Sequence, residues 1–351
     1  PRVMIIAAVG AAFPPHYYDQ ERLLEAFRAH WARRHHKLDR LEALHRNVLV
    51  GGRHLALPLE EYERLGSFGE ANDAWIRVGL EVGEEAVRRA LDGAGVAPPD
   101  VSALLFVTVT GVATPSLDAR LVNRMELASN IKRVPLFGLG CVAGAAGLAR
   151  AADYLTAFPG EVVVLLSIEL CSLTLQREDL SIPNLIASGL FGDGAAAAVM
   201  VGSERSAAGP RVVATRSVFY RDSERAMGWD ISERGFKVVL SAEVPELTRR
   251  HLRGDVDGFL AEHGLVRSQI SRWIAHPGGP RVLQAVEEAL ELAPEALEIS
   301  WRSLRETGNL SSTSVLLVLR EVLGRPPAAG SYGLLLAMGP GFCSELVLLQ
   351  W

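Results

Sequence analysis

Cys141 lies in Leu136-Phe-Gly-Leu-Gly-Cys-Val-Ala-Gly-Ala-Ala-Gly-Leu-Ala-Arg150, where an apolar, strand-like run ends in two glycines just before the thiol. Small residues then open an amphipathic segment, so the pattern predicts strand, tight turn and helix, with the thiol in the helix's first turn. Unpaired backbone N–H groups and the helix dipole at such a place favour a thiolate, so the thiol pKa is expected to be lowered. Gly144 and Gly147 would let that helix approach a neighbouring backbone closely. A buried cysteine also serves as a small hydrophobe, so the nucleophile reading needs partners. His276 ends an apolar strand and opens His-Pro-Gly-Gly-Pro280, a rigid turn that would hold an imidazole where it can polarise a group or transfer a proton. A structural histidine closing a sheet has the same local signature. Asn309, in Thr307-Gly-Asn-Leu-Ser-Ser312, falls between helices and suits either a donor carboxamide or an ordinary turn and N-cap.

The elements that would carry these residues alternate. Val3–Phe13 has the composition of a signal-peptide core but lacks a basic leader and runs into Pro14-Pro15, so it reads as a first buried strand. Residues 18–46 are polar, rich in Arg and His, and read as helical; a second helix spans roughly 69–94. Strand 101–109, a loop over 110–116 and helix 117–127 precede the Cys141 unit, and strand 161–167 follows it. Leu190-Phe-Gly-Asp-Gly194 turns into strand 195–201, and Ser206-Ala-Ala-Gly-Pro210 reads as a linker. Strands 212–218 and 236–240, helix 244–263, strand 272–276, helix 281–292, helix 312–323 and strands 332–338 and 344–349 complete the chain. Alternation in both halves, each closing on a strand with a Gly-rich turn, predicts an α/β protein with mixed sheets and hints at an internal duplication.

At 351 residues the chain is long for one simple core, so two domains or a fused, duplicated fold are expected. A net charge of −5 argues against general nucleic-acid binding, and any anion site must be a local basic cluster. No apolar run reaches the ~18 residues of a membrane span. Three cysteines without paired spacing fit a reduced, cytoplasmic setting and no zinc site. Neither a phosphate-binding glycine loop nor a metal-ligand cluster is evident, so no metal, flavin or nicotinamide is implied.

The ordered set Cys141, His276-Pro-Gly-Gly-Pro280 and Gly308-Asn-Leu-Ser-Ser312, with Leu190-Phe-Gly-Asp-Gly-Ala-Ala-Ala197 and Gly339-Pro-Gly-Phe342, resembles the type III polyketide synthase family. This is the chalcone-synthase-like group of the thiolase superfamily, and the resemblance runs over essentially the whole chain. It implies a duplicated αβαβα thiolase-like fold, divided here into residues 1–207 and 208–351, and a homodimer. It also implies Cys141 as nucleophile, His276 and Asn309 as the other catalytic positions, and Phe191 as the aromatic where a coenzyme A tunnel meets the cavity. Lys37 and Arg40 match two positions of a basic cluster that holds coenzyme A; the third falls on His45 or Arg46. A Lys-x-x-Arg pair is also what a solvated helix face looks like. The backbone of Gly278 and Gly279 would line the same tunnel.

Departures from the plant-type pattern bear on the product. The methionine that crosses the dimer is Thr114, a cavity threonine is Cys171, and Thr174 and Ser311 keep hydroxyls. A second gatekeeper phenylalanine falls on Val238, with Phe236 near but out of register, and the glycine that shapes the plant cavity falls near Trp229. Glu169-Leu-Cys-Ser-Leu-Thr-Leu-Gln176 and Gly339-Pro-Gly-Phe-Cys-Ser-Glu345 resemble bacterial synthases that extend fatty acyl-CoA starters to alkylpyrones or alkylresorcinols. The expected reaction is therefore iterative decarboxylative condensation of malonyl-CoA onto an acyl-CoA, without an obligatory carrier protein. The alternatives are malonyl-primed synthesis of 1,3,6,8-tetrahydroxynaphthalene, a ketoacyl-ACP synthase III, and a thiolase-like protein that binds acyl-CoA without condensing it.

Overall fold

The structure, a computed structural model, describes residues 3–31 and 38–351. In the first half the strands are β1 (Met4–Ala12), β2 (His16–Asp19), β3 (Gly52–Leu55), β4 (Ala103–Thr108), β5 (Lys132–Phe137), β6 (Val162–Leu170) and β7 (Asp193–Val201). The helices are α1 (Gln20–Trp31), α2 (Leu38–Asn47), α3 (Leu59–Tyr62), α4 (Phe68–Ala94), α5 (Leu117–Arg124), α6 (Ala143–Ala157) and α7 (Ile182–Leu190). In the second half come β8 (Arg211–Phe219), β9 (Met227–Ser232), β10 (Gly235–Leu240), α8 (Val244–Glu262), β11 (Ile270–Ala275), α9 (Pro280–Leu290), α10 (Glu298–Thr307), α11 (Ser312–Gly324), β12 (Tyr332–Gly339) and β13 (Cys343–Gln350).

Local chemistry explains several boundaries. The Ser67 side chain accepts from Glu70 N–H to start α4, and Gly95, at φ +65°, stops it. All nine residues of β6 are buried because helices cover both of its faces, whereas β5 alternates and carries an exposed outer edge.

Nine strands form one hydrogen-bonded sheet in the order β11-β12-β13-β8-β1-β7-β6-β4-β5. From β1 outward the pairings are antiparallel to β7, antiparallel to β6, then parallel to β4. From β8 outward the same series recurs with β13, β12 and β11. The two series join where β1 meets β8, at Met4↔Val212 and Ile5↔Arg211. Helix α6 precedes β6 as α11 precedes β12, and these two helices pack together in the middle, against both series. Helices α4 and α5 cover the first series from outside, through Trp75, Val78, Leu117 and Leu121 on Leu104, Phe106, Leu166 and Ile168. Helices α8 to α10 cover the second, through Val256, Phe259, Leu283 and Leu304 on Leu334, Leu336, Leu346 and Leu348. The result is five layers, αβαβα, built from a doubled unit. Where the first series adds β5, the second places α10 instead, whose Ser300 Oγ donates to the Ala275 carbonyl at the β11 edge.

Some expectations change. The polar segment from residue 18 starts as strand β2, paired antiparallel with β3, and only then becomes α1. The segment before the turn at 190–194, given no element by the sequence, is helix α7. Strand β9 was not anticipated; it pairs with β10 in a separate hairpin.

Candidate active site

Cys141 sits in a single 3₁₀ turn, Gly140–Val142, that feeds directly into α6. Gly140 makes the turn possible: its φ is +59°, and a Cβ there would lie 2.8 Å from the Pro340 ring. The Gly339-Pro-Gly-Phe342 segment thus supports the Cys141 turn from behind. The thiol is only 7% exposed, and this reverses one expectation. Burial pushes its pKa up to about 11; the Ser311 and Asn309 side chains pull the other way, and the Glu169 carboxyl adds to the rise. Desolvation of the anion outweighs the helix terminus.

His276 closes β11, its N–H donating to the Leu336 carbonyl. Both ring nitrogens are buried and have no hydrogen-bond partner among the described residues, and burial pushes the imidazole down to about 4. The ring lies against Gly278, where a Cβ would stand 3.5 Å from His276 Cδ2. The Gly278 carbonyl in turn accepts from Asn309 Nδ2 at 3.1 Å. The carboxamide oxygen of Asn309 accepts from Ser311 N–H at 2.7 Å, which holds Ser311 at φ +49°, a conformation that residues other than glycine seldom adopt. The Asn309 side chain thus reaches the Cys141 thiol and, through the Gly278 backbone, the His276 ring, so one run of contacts joins the far-separated Cys, His and Asn, and the second N–H of Asn309 is not engaged by Gly278.

Glu169, quoted in the sequence motif but given no role, is the largest omission. Its Oε1 accepts from Thr108 Oγ1 (2.9 Å), Val109 N–H (2.9 Å) and Thr110 Oγ1 (3.1 Å). Its Oε2 accepts from Ser312 N–H (3.3 Å) and Oγ (2.9 Å) at the head of α11, so one carboxyl joins the two halves beside the thiol. Burial raises its pKa despite these donors. The available signal was a lone acid in an otherwise apolar strand.

Cys171 and Thr174 share the next 3₁₀ turn and are buried, Thr174 Oγ1 donating to the Cys171 carbonyl. Trp229 and Val238 are directly opposed across the β9–β10 ladder, so they present one wall. Trp229 Nε1 donates to the Val109 carbonyl at 2.7 Å, and its ring leans on Phe236 at 5.8 Å between centroids. Phe236, two residues before Val238, lies on the same face, and it also lines a small recess with Phe68, Thr110 and Thr174. Phe191 follows α7 and bridges Asn309 strand-to-strand. Thr114 is exposed, on the loop after β4, and does not join this site within the chain.

Of the basic residues, Lys37 lies outside the described residues. Arg40 is exposed on α2, which packs on α7 and so approaches Phe191 from outside. Arg46 is 63% exposed and already faces Glu42 (2.7 Å) and Glu21 (4.0 Å). His45 is removed from consideration as a coenzyme A ligand: it is buried, and its Nε2 shares a 2.9 Å hydrogen bond with Ser188 Oγ. A recess of about 1040 Å³ opens at the β11 edge between Arg267, Trp273 and Leu292, but it contains none of the three catalytic candidates.

Residues 2–205 match the family described as chalcone and stilbene synthases, N-terminal domain, and residues 211–351 match the C-terminal domain of the same family. A 1,3,6,8-tetrahydroxynaphthalene synthase of Streptomyces peucetius subsp. caesius is 54% identical over 350 residues, covering 99% of this chain and 93% of the relative. The synthase of the same name from Streptomyces coelicolor is 34% identical, covering 97% and 91%. The crystal structure of 1,3,6,8-tetrahydroxynaphthalene synthase from Streptomyces coelicolor A3(2), a bacterial type III polyketide synthase, superposes with a TM-score of 0.94 at 32% identity, covering 99% of each chain.

Proposed function

The chain belongs to the chalcone and stilbene synthase family and is a type III polyketide synthase, and on that premise we propose that malonyl-CoA both primes and extends it, giving 1,3,6,8-tetrahydroxynaphthalene. The observation that carries this reading is the 54% identity, over 99% of the chain, to a synthase of that name. It moves the balance from the fatty acyl starter expected from the motifs to the malonyl-primed alternative. Trp229 supports the same choice: an indole stands on the wall where the plant-type pattern has glycine, and it is pinned to Val109. A bulky side chain on that wall suits a small starter.

The proposed roles follow from the geometry. Burial leaves the Cys141 thiol and the His276 imidazole both neutral at rest. Proton transfer from thiol to imidazole generates the thiolate, and the ions' mutual attraction offsets part of their desolvation. The thiolate attacks the starter thioester, and coenzyme A leaves with a proton. An extender malonyl-CoA then loses CO₂, and the enolate oxygen is held by an N–H of His276 and the open N–H of Asn309. The enolate carbon attacks the acyl-cysteine and releases the thiolate. Phe191 offers an apolar wall that disfavours the malonyl carboxylate and favours neutral CO₂. Lys37, Arg40 and Arg46, with the Gly278–Gly279 backbone, are the proposed coenzyme A contacts. Thr114 is exposed where a second copy would cover it, in a homodimer. We also place the division of the doubled fold at 207/208.

Mass spectrometry of products from malonyl-CoA, alone and with C6–C16 acyl-CoA starters, tests the reading, with Cys141→Ala as control. Flaviolin, the oxidised naphthalene product, from malonyl-CoA alone supports it. Alkylpyrones or alkylresorcinols formed only with added acyl-CoA would return the acyl-starter reading.

A further inference from the structure

Arg53, on β3, is 3% exposed and lies behind the site, not in it. Its Nη1 donates to the Phe191 carbonyl at 2.8 Å. The same peptide group, through Gly192 N–H, donates to the Asn309 carbonyl at 3.0 Å, while Asn309 N–H donates to the Leu190 carbonyl at 2.9 Å. The Arg53 stem fills the space beside two glycines of these segments. A Cβ on Gly192 would be 3.4 Å from Arg53 Cβ, and one on Gly308, whose φ is +77°, would be 3.1 Å from Arg53 Cδ. One side chain therefore clamps residues 190–192 to residues 307–309, the two segments that present Phe191 and Asn309.

The charge is expensive where it stands. Burial lowers the Arg53 pKa to about 10, so it remains a cation, and Asp193 is the strongest charge opposing that fall. Asp193 Oδ2 accepts from Ala56 N–H at 2.7 Å and its Oδ1 from Ser172 N–H at 2.8 Å, tying the same knot to the turn that carries Cys171. Among the described residues, Arg53 Nε and Nη2 are buried without a hydrogen-bond partner. An apolar side chain of similar length would fill this space but leave the Phe191 carbonyl without this donor and Asp193 without its opposing cation, so the guanidinium ties the packing to these two acceptors. What only the cation supplies is polarisation of the 191–192 peptide, which strengthens the Gly192-to-Asn309 hydrogen bond in series with it.

We infer that Arg53 is a positioning residue for decarboxylation: it sets the Phe191–Asn309 bridge and, through it, aims the Asn309 carboxamide at the enolate oxygen. This rests on the role proposed above for Asn309. Two half-reactions separate the effects, because release of CO₂ from malonyl-CoA depends on the carboxamide's contact with the enolate oxygen, whereas in loading of Cys141 from an acyl-CoA Asn309 ranks behind Ser311 among the side chains that favour the thiolate. In Arg53→Met the stem is kept and the charge and donors are lost. The expected result is a fall of about tenfold or more in kcat for CO₂ release, as a small misplacement produces, with KM for malonyl-CoA and the acyl-loading burst each changed less than about twofold. Arg53→Lys, which keeps a cation but not the fork, should fall between the two. In Arg53→Ala, millimolar guanidinium should restore part of the CO₂ release. Equal loss of loading and CO₂ release, or unchanged CO₂ release in Arg53→Met, overturns the inference. If Arg53→Met does not fold, the Lys variant decides by the same ratio of half-reactions, a ratio at the wild-type value refuting the positioning role. Asn309→Ala is run alongside: if it keeps full CO₂ release, the role of Asn309 is what fails.

Discussion

Replacing Trp229 with alanine is the sharpest test of why a small starter is used. The indole is half-buried, holds one 2.7 Å hydrogen bond to the Val109 carbonyl and leans on Phe236. Its loss should cost less than the about 3–5 kcal/mol of a fully buried tryptophan, so the variant folds. The gain lies in space on the wall it shares with Val238. Each starter methylene buried there contributes about 0.8 kcal/mol, or about fourfold in kcat/KM. The assay is kcat/KM for a straight-chain acyl-CoA series, read by product mass. Wild type should show no gain with chain length. The variant should rise about fourfold per added methylene until the new space is filled, then level off. Trp229→Phe, which keeps an aromatic wall without the N–H donor, should retain the wild-type profile. Identical length profiles in wild type and Trp229→Ala would refute the claim that this side chain limits the starter.

Asn309→Ala should lower CO₂ release from malonyl-CoA about 10²–10³-fold, about 3–4 kcal/mol, as loss of one oxyanion donor does; radiometric CO₂ capture measures it. Acid should destabilise the fold through His45, whose pKa burial, then the Arg53 charge, lowers from 6.5 to about 3. A base with a depressed folded pKa contributes stability present above pH 6.5 and lost as pH falls toward 3. Between pH 7 and 5 that loss is about 2 kcal/mol, and urea melts of His45→Gln should show a correspondingly flatter dependence. Gly144→Ala would put a methyl 2.4 Å from the Ser312 carbonyl and 2.5 Å from Val315 Cγ1, prying α6 from α11 at the centre of the fold. A loss of about 1–3 kcal/mol is expected, read as a lowered thermal midpoint.

Much of the framework is legible in the chain itself, because it is written in local patterns. Continuous apolar runs mark β4, β6 and β7 as strands buried on both faces, and the capping residues Ser67 and Gly95 bracket α4. The glycines beside Cys141, the Pro-Gly-Gly-Pro turn after His276 and the Gly-Asn turn before α11 are each short-range signals, and their order along the chain suffices to suggest the family. Strand β9 escapes such reading although Met227-Gly-Trp-Asp-Ile-Ser232 alternates large apolar residues with small or polar ones; six such residues do not by themselves separate a strand from a loop, and the pairing with β10 is what makes this one a strand. Strands β2 and β3 are short segments far apart in sequence that only the tertiary fold brings into register.

What the sequence by itself determined was most of the order of elements, the turn that carries Cys141 and the candidacy of Cys141, His276 and Asn309, since backbone preference and side-chain chemistry are properties of neighbouring residues. The tertiary structure alone decided which groups are dehydrated and what faces them. Burial raised the thiol's pKa where a helix terminus had suggested the reverse, took His45 from the surface, joined Glu169 to both halves and placed the Arg53 cation behind Asn309. Desolvation is set by atoms brought from every part of the chain, and so it is not written in any one stretch of it.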